Sequence, residues 1–248
     1  EQSTVRILVD ATQSTASARS VSTGSFGTPL SYFDQQNKRV ALDMTNEAFQ
    51  AVLDRGGQPF VIDAREDVEY DNGHFPGVNH IRFADLKAGR WIELPQDQPV
   101  YVFCWSGIRG KEVTEFLRTK KILASYLDHG ANGWVFFGGK WEGNINFAQK
   151  YTEAKYQNTF TTDQIRKKMQ EGVVLIDSRS PGAYAKWHIP GSLSLSLIST
   201  PSIALPVVYD QIPRGSRVIS ICDDYVNCFD AKLIGVELER RGHVFLGR

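Results

Sequence analysis

Cysteine is scarce in this chain: Cys104, Cys222 and Cys228 are the only three in 248 residues. Three thiols are too few for a disulfide framework, and no CxxC pair or Cys/His cluster has zinc-site spacing. Cys222 and Cys228 could pair with each other, but two free thiols are the expected state. No apolar run approaches the ~18–20 residues that a membrane-spanning helix needs. An excess of charge of either sign is missing too. Lys plus Arg and Asp plus Glu stand at 28 each, with no basic block, so neither nucleic acid nor an anionic membrane is an expected partner. The first residue is Glu1 rather than Met. That start fits a processed chain, a lost signal peptide being one cause, and weighs slightly for export over the cytoplasm. The low cysteine count fits either compartment.

What is there centres on Tyr101-Val-Phe-Cys-Trp-Ser-Gly-Ile-Arg-Gly110. Strand-forming residues run into Cys104, a short loop follows, and Val113, Phe116 and Leu117 then take up a helical period. A thiol between a strand end and a helix start lies under unpaired backbone N–H groups, near the positive end of the helix dipole. Both effects favour the thiolate. Gly107 lets the loop curl, and Arg109 adds a fixed positive charge suited to an anion. The N–H groups from Trp105 to Gly110, including Ile108, are candidate donors to a charged sulfur. Trp105 and Ser106 are placed to face the mouth of such a pocket.

In chain order, residues 1–43 read as an extension. Thr4–Val9 suits a strand, and Ser14–Gly27 is rich in Ser, Thr, Ala and Gly, the composition of a surface-draped segment able to reach a partner. Thr45 caps an amphipathic helix ending at Gly56-Gly57; Phe60–Arg65 is a short buried strand; Gly73-His-Phe-Pro-Gly77 is a turn. The order then returns. Thr161–Gly172 repeats the helix, Val173–Arg179 the strand with its Asp-x-Arg ending, His188-Ile-Pro-Gly191 the turn, and Arg217–Cys222 the strand-to-cysteine step. The interval from Asp63 to Asp177 equals that from Gly77 to Gly191, and the few extra positions before Cys222 fall in the Leu197–Pro213 connector, where insertions cost little. The chain therefore holds two copies of one α/β unit. Alternating strands and helices imply a mostly parallel sheet covered on both faces, with ligands bound beyond the strands' carboxyl ends. Cys104 and Cys222 both stand there.

The ordered set Asp63-x-Arg65, Glu69-Tyr70, Gly73-His-x-Pro-Gly77, Cys104-x-x-Gly107-x-Arg109 and Gly130-x-x-Gly133-Trp134 resembles the rhodanese superfamily in its tandem form. The resemblance covers residues 44–248 and implies two rhodanese-like domains, 44–150 and 151–248, each a mostly parallel sheet flanked by helices on both faces. It further implies a sulfurtransferase. Cys104 would take a sulfane sulfur from thiosulfate or a related donor as a persulfide and pass it to a thiol or cyanide, with no cofactor or metal. Arg109, Trp105, Ser106, Gly107, Ile108 and Gly110 would bind the substrate. The superfamily's phosphatases and arsenate reductases carry five residues between Cys and Arg. Here there are four, Trp105 to Ile108, which suits a sulfur atom better than a tetrahedral oxyanion.

The second copy departs from that pattern. Its loop reads Cys222-Asp-Asp-Tyr-Val-Asn227, with Tyr225 for the glycine, Asn227 for the arginine, and Asp223 and Asp224 beside the thiol. Neighbouring carboxylates raise a cysteine's pKa and repel an anionic donor. This copy is expected to be degenerate and mainly structural, and truncated or minimal after Val244–Leu246. Asp63 with Arg65 is expected to be a structural ion pair, His74 and His188 to be hydrogen-bonded framework residues, Glu69 to be structural, and Trp91, Trp134 and Trp141 to pack. The rival reading is a rhodanese-like binding or scaffold module with no activity.

Overall fold

The computed structural model describes residues 42–56, 58–144, 154–223 and 225–248. The expected strand at Thr4–Val9 and the Ser/Thr/Gly-rich extension lie outside the described residues. The chain divides into two compact units, one built up to Arg65 and from Gly73 to Ile145, the other from Asn146 onward together with Glu66–Asn72.

The first unit carries a parallel sheet of β1 (Asp43–Met44), β2 (Phe60–Asp63), β4 (Asn79–His80), β5 (Val100–Phe103) and β6 (Ala124–Leu127), in the order β1-β6-β5-β2-β4. A two-stranded antiparallel ribbon pairs β3 (Gly73–His74) with β7 (Glu142–Gly143). Side chains alternate across β5, as a strand's period of two requires. Val100 and Val102 join Ile62, Leu86, Val113, Leu117 and Ile122 on one face. Tyr101 and Phe103 enter an aromatic cluster on the other, where the Phe49 ring lies 5.4 Å from Tyr101, 5.6 Å from Phe103 and 5.2 Å from Trp134. Each buried side chain of this size contributes roughly 1.5–3 kcal/mol, so the sheet is anchored from both sides just below its carboxyl edge. The Asn46–Asp54 helix that supplies Phe49 starts where expected, Thr45 Oγ1 accepting from the Ala48 N–H at 3.2 Å.

The second unit repeats the plan with β8 (Val174–Asp177), β9 (Leu193–Ser194), β10 (Arg217–Ile221) and β11 (Val244–Gly247), ordered β11-β10-β8-β9 and all parallel. Thr161 and Gln164 form a reciprocal capping box at the head of the Thr162–Gln170 helix. No strand stands in the place of β1 among the described residues, yet the chain runs there. Phe160 N donates to Arg248 O and Arg248 N to Asn158 O, as Tyr126 and Asp128 donate to Leu42 and Met44 in the first unit. The unit's core gathers Ile176, Leu195, Val218, Leu233 and Phe245, and Val68 from the Asp67–Tyr70 helix packs with them. Asp71, one residue past that helix, pairs with Arg240 at 2.9 Å.

Candidate active site

Cys104 stands directly after β5, where the aromatic layer ends and the chain turns up into the Ile108–Thr119 helix. Gly107 precedes that helix at φ +94°, a left-handed conformation that a side chain would oppose. This turn brings the Gly107 N–H back to the sulfur, 3.0 Å from Cys104 Sγ. The N–H groups of Ser106 and Gly110 also donate to it. Gly110 has no room for a side chain, since a Cβ there would lie 2.9 Å from Tyr126 Cβ.

The loop is held in this shape from outside. The Gly130–Phe137 helix points its first N–H groups at the loop, Ala131 N donating to Cys104 O at 2.7 Å and Asn132 N to Trp105 O at 3.1 Å. Helix starts have such donors to spare. With its carbonyls drawn outward, the loop turns its own N–H groups inward onto the sulfur. Gly130 makes the approach possible: at φ +57°, a Cβ would sit 2.9 Å from Ser106 N and closer still to Cys104 O. The sequence marks Gly130-x-x-Gly133-Trp134 only as a closing motif. Its work as a helical clamp on the cysteine loop was not legible there, because nothing in one sequence says which loop a helix start will face.

Two expectations need correction. Cys104 is 1 % exposed, and burial pushes its thiol above the ordinary value. Arg109 and the N–H groups of Gly110, Gly107 and Ser106 pull the other way without reversing it. A thiolate-favouring loop is therefore present, but desolvation of the charged form outweighs it. The second correction concerns Cys222 and Cys228, which are joined in a disulfide rather than free. The first turns of the Tyr225–Arg240 helix carry Cys228 back beside the end of β10. A separation of six residues gives no hint of this until the helix start is placed.

Around the sulfur, Arg109 and Gly110 are buried, Trp105 is half-buried, and Ser106 and Ile108 are exposed. Asp63 and Arg65 form a buried ion pair at the carboxyl end of β2, Nη2 to Oδ2 2.6 Å, and Arg65 also donates to Gly73 O at 2.7 Å. The equivalent Asp177–Arg179 pair is made at 2.7 Å. His188 Nδ1 bonds Tyr184 O at 2.9 Å and its ring stacks on Tyr184, while His74 lies 3.5 Å from Glu142 in the ribbon. Glu69 is buried in a capping box with Glu66. Trp134 is fully buried, and Arg65 lies over the Trp141 ring. Asp223 is exposed and only 3.9 Å from Arg179.

Two duplicated parallel α/β units, each ending a central strand in a cysteine loop, define a class, and the family profile described as Rhodanese-like domain matches twice, over residues 45–136 and 161–243. The chain belongs to the rhodanese family and contains two rhodanese-like domains. Among curated relatives, YqhL of Bacillus subtilis, which has no described activity, is 34% identical over 110 residues, 44% of this chain and 81% of that protein. YrkF of the same organism, provisionally named a sulfur carrier protein, is 33% identical over 84 residues, 33% of this chain and 45% of its own. YtwF, provisionally named a sulfurtransferase, is 25% identical over 92 residues, 37% of this chain and 88% of its own. The crystal structure of a thiosulfate sulfurtransferase from Pseudomonas aeruginosa aligns over 82% of this chain at 21% identity and a TM-score of 0.40; the chain spans 42% of that protein.

Proposed function

We propose that the first domain is a sulfurtransferase site working through a persulfide on Cys104. The observation that carries this reading is the convergence of the Ser106, Gly107 and Gly110 N–H groups on Cys104 Sγ, with the positive charge of Arg109 also acting on it. Such preorganised donors stabilise a charge that develops during reaction, each typically worth ~10²–10³ in rate. The Cys104 thiolate attacks the outer sulfur of thiosulfate or a related sulfane donor. A bond forms between Sγ and that sulfur, the donor's S–S bond breaks, and sulfite leaves with the bonding pair. A thiol or cyanide acceptor then takes the outer sulfur and returns Cys104 to its thiolate, a two-step covalent cycle. Arg109 orients the donor's anionic oxygens, with Trp105, Ser106 and Ile108 at the approach. The loop yields to admit the donor, since the sulfur is closed off at rest. A protein partner or acceptor reached through residues 1–43 belongs to the same proposal.

Intact mass after thiosulfate treatment tests it. One added sulfur atom is expected, lost in Cys104→Ser and kept when Cys222 and Cys228 are both replaced by Ser. No adduct on Cys104 with any sulfane donor would leave a binding module in its place.

A further inference from the structure

The second domain carries a bonded pair of sulfurs where the first carries one thiol. Cys222 follows β10 as Cys104 follows β5, and its partner Cys228 is the fourth residue of the Tyr225–Arg240 helix. Both cysteines are half-buried, whereas Cys104 is almost wholly buried. The helix is anchored without the bond, since Ala231, Leu233, Ile234, Val236 and Leu238 are all buried. A staple is therefore not what this helix lacks. The charges differ as well. Arg179, the nearby cation, is taken up by Asp177 at 2.9 and 2.7 Å, and the exposed carboxylate of Asp223 stands next to Cys222. A doubly charged donor such as thiosulfate is disfavoured there, whereas a small organic persulfide, with its sulfane sulfur outermost, carries less charge to repel.

We propose that Cys222 and Cys228 are a second sulfur-handling site, which reduces the outer sulfur of a small-thiol persulfide to hydrogen sulfide. In the reduced pair, the Cys222 thiolate attacks that outer sulfur. An Sγ–S bond forms, the donor's S–S bond breaks, and the donor leaves as its thiolate. The Cys228 thiolate then attacks Cys222 Sγ, closing the Cys222–Cys228 disulfide and expelling hydrosulfide. The two thiolates give up two electrons and the sulfane sulfur receives them, so charge and atoms balance. Cys228 is the resolving group because it is the thiol in bonding contact with Cys222. The disulfide seen here is the product state, and a dithiol reductant returns it to the starting one.

The test uses the full chain carrying Cys104→Ser, reduced with dithiothreitol, desalted and mixed with cysteamine persulfide, whose ammonium offsets the charge of its ionised persulfide. This background makes the result independent of the persulfide proposed on Cys104, whose failure would leave this one standing. One sulfide per chain is expected, released together with the return of the Cys222–Cys228 bond in a peptide map. In Cys104→Ser/Cys228→Ser the release should stop and one extra sulfur should remain on Cys222. The map of the unaltered pair provides a readout that does not depend on the Cys228 variant folding. The proposal is overturned if the pair stays oxidised under dithiothreitol in the folded chain, if the disulfide returns without matching sulfide, or if Cys104→Ser/Cys228→Ser releases sulfide at the parent's rate.

Discussion

Replacing Gly130 by alanine should disable the Cys104 loop without touching any group placed in the chemistry. Two costs arise. Gly130 sits at φ +57°, and a non-glycine residue held in that region costs on the order of 1–3 kcal/mol. The new methyl would also meet Cys104 O, Trp105 C at 2.8 Å and Ser106 N at 2.9 Å. All three are backbone atoms, so no side chain can swing aside and the loop itself must move. Movement stretches the Ala131–Cys104 and Asn132–Trp105 hydrogen bonds that draw the loop carbonyls outward, and the inward N–H groups lose their aim on the sulfur. A misplacement of ~1 Å costs ~10²-fold in rate. Gly138→Ala separates the two costs, because Gly138 has φ +93° but nothing within 4 Å of a built Cβ. Both variants should lose stability in urea unfolding. Only Gly130→Ala should slow sulfur uptake from thiosulfate about a hundredfold, read by quenching and intact mass. Uptake in Gly130→Ala within a few-fold of Gly138→Ala would refute the clamp.

The raised pKa of Cys104 predicts an iodoacetamide half-point above the ~8.5 of an ordinary thiol, measured with Cys222 and Cys228 replaced by Ser. Because the unfolded chain loses that proton first, stability should fall as pH rises above the ordinary value. Arg109→Gln should move the half-point further up; a half-point at or below the ordinary value contradicts the burial argument. Arg109→Ala should weaken thiosulfate use far more than use of an uncharged persulfide donor, and equal losses would remove Arg109 from donor binding. Asp63→Ala strips a buried guanidinium of its carboxylate, both partners being 1 % exposed, and should cost roughly 3–5 kcal/mol. Asp177→Ala should cost less, since Arg179 is 11 % exposed and keeps Asp223 nearby; equal urea shifts would show that burial does not set the difference.

Repetition made the architecture legible. Asp63 and Asp177, the two Pro-Gly turns and the two strand-to-cysteine steps fix the same supersecondary order twice, and a parallel α/β sheet follows from alternation alone. Caps at Thr45 and Thr161 were readable because the capping residue precedes the apolar period it serves. Three things were not readable. Burial of Cys104 is set by tertiary packing around the loop, which has no local signature. The Cys222–Cys228 bond depends on where the second helix starts, and it begins three residues after Cys222 but four after Cys104. The clustering of Glu66–Asn72 with the second unit has no sequence signal, since those residues lie in the first copy's own pattern.

One strand-to-helix step thus supports two ways of keeping a sulfur. At Cys104, three N–H groups and Arg109 favour the anion. Hydrogen bonds to a charged group are worth roughly 1.5–3 kcal/mol each, and the effective cost of burying a charge is several kcal/mol. Burial is the larger effect, so the thiol rests protonated. Any opening that admits water or a donor reduces the burial cost while the loop amides remain in place. At Cys222 the stabilising partner is another sulfur rather than a set of amides. In the disulfide no charge is held, and the positions of Gly107 and Arg109 are occupied by Tyr225 and Asn227. In the proposed scheme that sequence change marks the line between a site that stores a sulfur and one that discharges it.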